Sequence, residues 1–304
     1  MTTLMASVVQ CASRHLDVEA NARFTSRTIR EQADAGAHLV VLPELVATSY
    51  DPEASSLLSI AESVDDPGPC LSAWMSVAAE TGTAVVAGFA ERVGDSLFNS
   101  AVVIDADGSI IDVYRKLHLF GSEQGVFSPG DRGLPLVDLL GVRLGVAVCY
   151  DLRFPETLRI LAVRGCEVVA VPTAWVLGFD RAADPSGRIG QVDGVVVQAN
   201  LNQLYVLVAD QVGETRGTAF LGRSLIVDPY GQPLAGPLSP DQEEAAMVLV
   251  DTDVVHAARH RGRGIDPMLN RRIDVYASDL GYRHEVPAFT VRPVAVSERG
   301  SVPS

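Results

Sequence analysis

The sequence predicts a layered α/β domain. Short apolar runs of strand length alternate with stretches of helical period along most of the chain, and three strand ends carry a chemically active side chain. No linker or shift in composition interrupts the pattern before about residue 276. At 304 residues with 47% hydrophobic content, the chain holds enough apolar material for one large core.

Leu4 to Gln10 reads as a short apolar strand. Val18 to Ala35 follows with helical period, placing Ala22, Thr25, Ile29 and Ala33 on roughly one face, and Gly36 ends it. Leu39 to Leu42 is a buried strand stopped by Pro43, which leaves Glu44 just past its carboxyl end, where ligands and catalytic groups gather in α/β sheets. Pro69 to Thr81 reads as a helix and Ala84 to Ala90 as a strand. Leu97 to Lys116 reads as a hairpin around the turn pair Asp107-Gly108.

Gly141 to Arg159, GVRLGVAVCYDLRFPETLR, predicts a strand that closes on Cys149 and turns directly into a helix. Asp151 is placed to cap that helix, Pro155 suits its first turn, and Glu156 puts negative charge where the helix dipole favours it. A thiol at such a junction is expected to favour its thiolate. On this segment alone, an inert buried cysteine and a nucleophile weigh equally. Further on, Glu167 to Pro172, Tyr205 to Ala209, Ser224 to Asp228 and Ala246 to Asp251 read as strands. Gly187 to Leu201 reads as a helix, and Asp228-Pro229-Tyr230-Gly231 as a turn. The end, from Ala277, is polar and reads as an extended arm on a 1–276 domain.

The formal charge of -14 argues against a nucleic-acid partner or an anionic membrane surface, since phosphate neutralisation needs a basic face. Four cysteines, at 11, 70, 149 and 166, show no metal or disulfide spacing and suit a reducing compartment. With no basic leader ahead of an apolar run and no long apolar segment, a soluble cytoplasmic protein is expected. Of the 24 basic side chains, 23 are arginine and one is lysine, Lys116. That lysine is either a chance survivor or a position where guanidinium cannot substitute for a compact ammonium. Glu44 is likewise either a solvated loop acid or a functional one.

Glu44, Lys116 and Cys149 thus share one setting, the end of a strand. A cysteine nucleophile needs a base for its proton and donors for the oxyanion it creates, roles open to a buried glutamate, an ammonium and a backbone N–H. None of the six histidines has the local context of a Cys-His pair, and His118 reads as structural.

LPELVATSY, YRKLHLFGSEQGVFSPGD and GVAVCYDLRFPE resemble, in order and separation, the three signature regions of the nitrilase or carbon-nitrogen hydrolase superfamily. FLGRSLIVDPYGQPLA and RGRGIDPMLNRRIDVY are similar to its penultimate strand and closing region. The resemblance implies a four-layer α-β-β-α sandwich. It also implies a triad of Glu44 as general base, Lys116 as oxyanion donor and Cys149 as nucleophile. By the same resemblance, Tyr150 is expected to supply the second oxyanion donor through its backbone N–H, and Glu123 to help hold the substrate nitrogen and the lysine. Tyr50, Ala174 and Trp175 fall at the substrate pocket. No metal or organic cofactor is implied, and the assembly is a homodimer or higher homo-oligomer.

Cys149-Tyr150-Asp151 differs from the Cys-Trp-Glu of true nitrilases and favours cleavage of a small amide to acid and ammonia through a thioester. Hydrolysis of N-carbamoyl amines or acids stands second, although Leu152 and Arg153 replace the paired arginines of carbamoyl-acid hydrolases. Nitrile hydrolysis stands third, and a non-catalytic binding protein is the reading outside enzymes. Pro172-Thr173-Ala174-Trp175, Gln198 to Asn202 and Asp210 depart from common patterns of relatives.

Overall fold

Strands with apolar side chains on both faces need cover on both, and two sheets packed together with helices outside satisfy that need. The computed structural model of the protein describes residues 2–51, 56–177 and 189–280. Its first half contains β1 (Thr3–Gln10), α1 (Val18–Asp34), β2 (Leu39–Val41), α2 (Leu57–Ile60), α3 (Pro69–Thr81), β3 (Ala84–Val93), β4 (Ser96–Ile104) and β5 (Ile110–Arg115). Then come β6 (Leu136–Leu139), β7 (Val142–Val146), α4 (Pro155–Val163), β8 (Val168–Thr173), α5 (Gly190–Asn202) and β9 (Tyr205–Asp210). The pair β10 (Glu214–Thr215) and β11 (Thr218–Ala219), β12 (Leu225–Val227), β13 (Pro233–Ala235), β14 (Glu244–Asp251) and α6 (Thr252–Arg259) complete the large unit. A separate small unit begins at Arg271 and contains α7 (Ile273–Asp279). Residues 281–304 of the expected arm lie outside the described residues.

One sheet has the order β14-β1-β2-β3-β4-β5 and the other β13-β12-β9-β8-β7-β6. Each keeps a parallel trio at its centre, β1-β2-β3 and β7-β8-β9, flanked by antiparallel strands. In the first sheet, side-chain alternation separates the layers. Ala84, Val86, Ala101 and Val103 face the second sheet's Leu144, Val168 and Val208 in one core, whereas Val85, Ala87, Val102 and Ile104 pack with Ile29, Leu71 and Trp74 of α1 and α3. Leu158, Leu161, Val195 and Ala199 bring α4 and α5 onto the second sheet. The result is the four-layer α-β-β-α arrangement.

The main predicted elements form close to their expected bounds. Asp17 caps α1 by accepting from the Ala20 N–H (3.0 Å), and Trp74 donates to Thr25 (2.8 Å), tying α3 to α1. Asp228 and Gly231 close the predicted turn. β6, β13, the β10–β11 pair, α2 and α6 were not anticipated; most are too short for a periodic pattern to register. The expected helix start at Gly187 lies outside the described residues, and α5 is described from Gly190.

The junction after Cys149 departs from expectation. Cys149–Arg153 is a 3-10 turn, and α4 begins only at Pro155, its N-cap being Phe154 without a side-chain bond. Asp151 is therefore not the cap of α4. Its carboxylate points back to the Val148 N–H (2.9 Å) because the tight turn curls it toward the strand. Pro155 and Glu156 do occupy the first turn of α4.

Candidate active site

At the site the two sheets are joined by hydrogen bonds through the Glu44 loop. The Glu44 N–H donates to the carbonyl of Thr173 at the end of β8 (3.2 Å), so the loop after β2 closes against the second sheet. Gln211, just past β9, donates its side-chain amide to the Glu44 carbonyl (2.7 Å). Lys116 directly follows β5, and its backbone is held by Asn99 on β4 (2.8 Å). One residue earlier, Arg115 grips Glu91 through two bonds (2.7 and 2.9 Å) and Asp131 through a third (2.8 Å). Such bidentate pairing fixes a strand end firmly.

These elements place Glu44, Lys116 and Glu123 in one fully buried network. Lys116 Nζ donates to Glu44 Oε1 (2.6 Å) and to Glu123 Oε1 (2.9 Å). Asn99 Nδ2 also donates to Glu44 Oε1 (2.7 Å), and the Tyr50 hydroxyl donates to Glu123 Oε1 (2.5 Å). The Phe120 N–H donates to Glu123 Oε2 (3.1 Å). Every oxygen of the two carboxylates is thus engaged except Glu44 Oε2, which is buried without a partner.

Cys149 stands in the left-handed region, at φ +46°, a conformation that costs a non-glycine residue about 1–2 kcal/mol. It lines a cavity of about 490 Å³, open mouth included, with Phe120, Tyr150, Trp175, Ala174 and Arg153 among its walls. Trp175 and Ala174 follow β8, and Asp210 holds this segment by accepting from the Trp175 N–H (2.8 Å) and the Thr173 hydroxyl (2.9 Å). Tyr50 is not among the lining residues; its hydroxyl serves Glu123 instead.

Burial dominates the electrostatics. It pushes the Cys149 thiol well above its ordinary range, Glu44 pushes further, and Lys116 together with the Ala174 N–H opposes them. The expectation of a thiolate favoured at a helix start is overturned: the α-helix begins six residues later, and desolvation outweighs the nearby cation. Burial likewise raises Glu44, with Lys116 opposing and Glu123 reinforcing. For Lys116, burial works against the ammonium, but Glu44 and Glu123 outweigh it and hold the charge. Two carboxylates around one ammonium leave a surplus negative charge, which keeps protons on the neighbouring acids.

Asn99 belongs to this centre and escapes sequence reasoning, and Tyr50, expected at the substrate pocket, joins the centre through its hydroxyl. Asn99 leaves one signal, a lone amide in the apolar run LFNSAVVI. Among the described residues, no cluster of three or more His, Cys, Asp or Glu is arranged to hold a metal ion. Among the same residues, no helix is long and apolar enough to cross a membrane.

An enclosed cluster of ionisable groups beside one apolar cavity is expensive to build, and together with the two-sheet α/β fold it defines an enzyme. The chain belongs to the carbon-nitrogen hydrolase family, whose model matches residues 5–260. It is 38% identical to a protein named nitrilase from Pyrococcus abyssi, over 83% of this chain and 91% of that one. It is 34% identical to an (R)-stereoselective amidase from a Pseudomonas species, over 88% and 90%. The crystal structure of an amidase from a Nesterenkonia species superposes with a TM-score of 0.76 at 24% identity, covering 90% of this chain and 95% of that one, which shows the shared fold.

Proposed function

We propose that the protein hydrolyses a small linear amide to a carboxylic acid and ammonia, using Cys149 as nucleophile. The observation that carries this reading is the buried Glu44–Lys116–Glu123 network beside the strained cysteine. Glu44 Oε2, the one oxygen of the Glu44 and Glu123 carboxylates without a donor, is the atom available to take the thiol proton. Because burial raises both Cys149 and Glu44, the proton moves as sulfur attacks rather than beforehand.

In the first half, the Cys149 Sγ–H proton passes to Glu44 while sulfur bonds to the amide carbon. The oxyanion is held by Lys116 Nζ and the Tyr150 N–H. Collapse breaks the C–N bond, Glu44 returns its proton to the departing nitrogen, and a thioester remains. In the second half, Glu44 takes a proton from water, the hydroxyl adds to the thioester carbon, and the C–S bond breaks with the proton returning to sulfur. No step calls for a metal or organic cofactor. Phe120, Trp175, Val176 and Leu152 around the cavity favour an apolar acyl group, with Arg153 and Gln191 as its polar wall residues.

The protein acts in this reading as a cytoplasmic homodimer. Support comes from four free cysteines and from the α4–α5 layer, where Ile160, Val163, Val197 and Leu201 are about half exposed. Ammonia release from aliphatic and aryl amides, N-carbamoyl compounds and nitriles, with Cys149→Ala alongside, tests the function. Turnover of amides that disappears in the variant is expected. Turnover confined to N-carbamoyl compounds or to nitriles would replace the substrate class, and turnover by Cys149→Ala would remove the mechanism.

A further inference from the structure

Asp151 is fully buried two residues after Cys149, and all of its bonds run to two segments. Its Oδ2 accepts from the Tyr114 hydroxyl (2.6 Å) and from the Val148 N–H (2.9 Å). Its Oδ1 accepts from the backbone N–H and from the ring of His118 (3.1 and 2.7 Å), Nδ1 serving as donor. Tyr114 stands two residues before Lys116 and His118 two residues after it, while Val148 directly precedes Cys149. The Tyr114 hydroxyl also accepts from the Leu117 N–H (3.3 Å), closing a loop around the lysine.

We infer that Asp151, with Tyr114 and His118, is a positioning device that sets the separation of Lys116 from Cys149. A buried carboxylate that served stability alone could draw its donors from any neighbouring element. Here each donor to the Asp151 carboxylate flanks one of the two residues that must meet across the reacting carbon. The left-handed turn at Cys149 persists only where surrounding bonds over-determine it, and the Val148 N–H is one of those bonds. His118 also stacks on Phe154, with ring centroids 3.6 Å apart, and Phe154 meets the edge of Tyr150 at 5.3 Å. The same carboxylate therefore braces the residue whose N–H is the second oxyanion donor. Rate depends steeply on such geometry, because the donors must fit the transition state rather than the ground state.

The inference rests on the proposed roles of Lys116 and Cys149, and its test separates the two. Tyr114→Phe keeps the buried ring and removes one donor; Asp151→Asn keeps the shape and turns one acceptor into a donor that faces N–H or O–H groups. Each variant is compared with the parent for kcat and KM on an amide that the parent hydrolyses. Melting temperature and the rate of Cys149 alkylation by iodoacetamide, read by mass spectrometry, are measured alongside. Tyr114→Phe is expected to lower kcat about tenfold to a hundredfold, the worth of one hydrogen bond to a charged group. KM should stay within about twofold, because the device acts on the transition state. Alkylation should slow in parallel. If Asp151→Asn does not fold, Tyr114→Phe alone decides. Unchanged kcat and alkylation in a folded Tyr114→Phe protein, with only the melting temperature lowered, would overturn the inference, as would a loss confined to KM. Amide turnover surviving in Cys149→Ala would instead defeat the reading of the site on which it stands.

Discussion

Lys116 buries its whole side chain between two carboxylates, and that burial is what makes its identity matter. A guanidinium keeps the charge but not the volume or the point-like geometry. Lys116→Arg is expected to lower kcat about 10²- to 10³-fold, the usual loss for one oxyanion donor, as steady-state kinetics on an amide would read. The raised Glu44 carboxyl has a signed consequence. A base must be ionised to work, so the acidic limb of kcat/KM should lie above 4.5, the ordinary glutamate value, and pH–rate profiles check this. Asp210 gives a stability counterpart. Burial raises its carboxyl well above 3.8, so the folded state holds the proton more tightly than the unfolded chain. Its contribution is complete below that value and is lost as pH rises toward the folded one. Asp210→Asn keeps an oxygen for Trp175 and Thr173 and cannot ionise. Its melting temperature should therefore fall less than the parent's between pH 5 and 8, as calorimetry across that range would show. At this scale Glu44, Lys116 and Cys149 were legible because each ends an apolar run. Asn99 and Asp151 were not, since their partners lie 55 and 37 residues away, respectively.

Elements hold these residues through close backbone crossings. β3 passes beneath the Glu44 loop at Gly88, where an added Cβ would lie 2.6 Å from the Glu44 Cα, the Leu45 nitrogen and the Pro43 oxygen. Gly88→Ala must therefore move either β3 or the Glu44 loop. Overpacking of this kind typically costs about 1–3 kcal/mol, and activity should fall more than stability because the displaced group is Glu44. Thermal unfolding beside kinetics would check the pair of effects. The strands that carry the site were readable from apolar runs bounded by Pro and Gly, as at Leu39 to Pro43. The turn after Cys149 was not: pattern reading supplied a helix start, whereas Asp151 is claimed by Tyr114 on β5 and by His118 just past it, and α4 begins only at Pro155.

For the molecule as a whole, the apolar surface of α4 and α5 is a patch that packing among the described residues leaves uncovered. Val197 and Leu201, each 53% exposed and one turn apart on α5, lie with Ile160 and Val163 of α4 on the outer helical layer. The homodimer proposed above would cover them. Light scattering after gel filtration should give a dimer for the parent, and Val197→Glu combined with Leu201→Glu should shift it toward monomer.

The alternation of apolar runs and helical stretches determined the α/β class by itself, because strand and helix periods are local and each repeats within a few residues. The same locality put Glu44, Lys116 and Cys149 at strand ends. Only the tertiary structure decided what those ends share: that Lys116 bridges Glu44 and Glu123, and that Asp151 joins the lysine segment to the cysteine turn. It also decided that Cys149 keeps its proton, since the environment that sets a thiol's ionisation is assembled from three distant segments and from the exclusion of water, and neither is written in any one stretch of the chain.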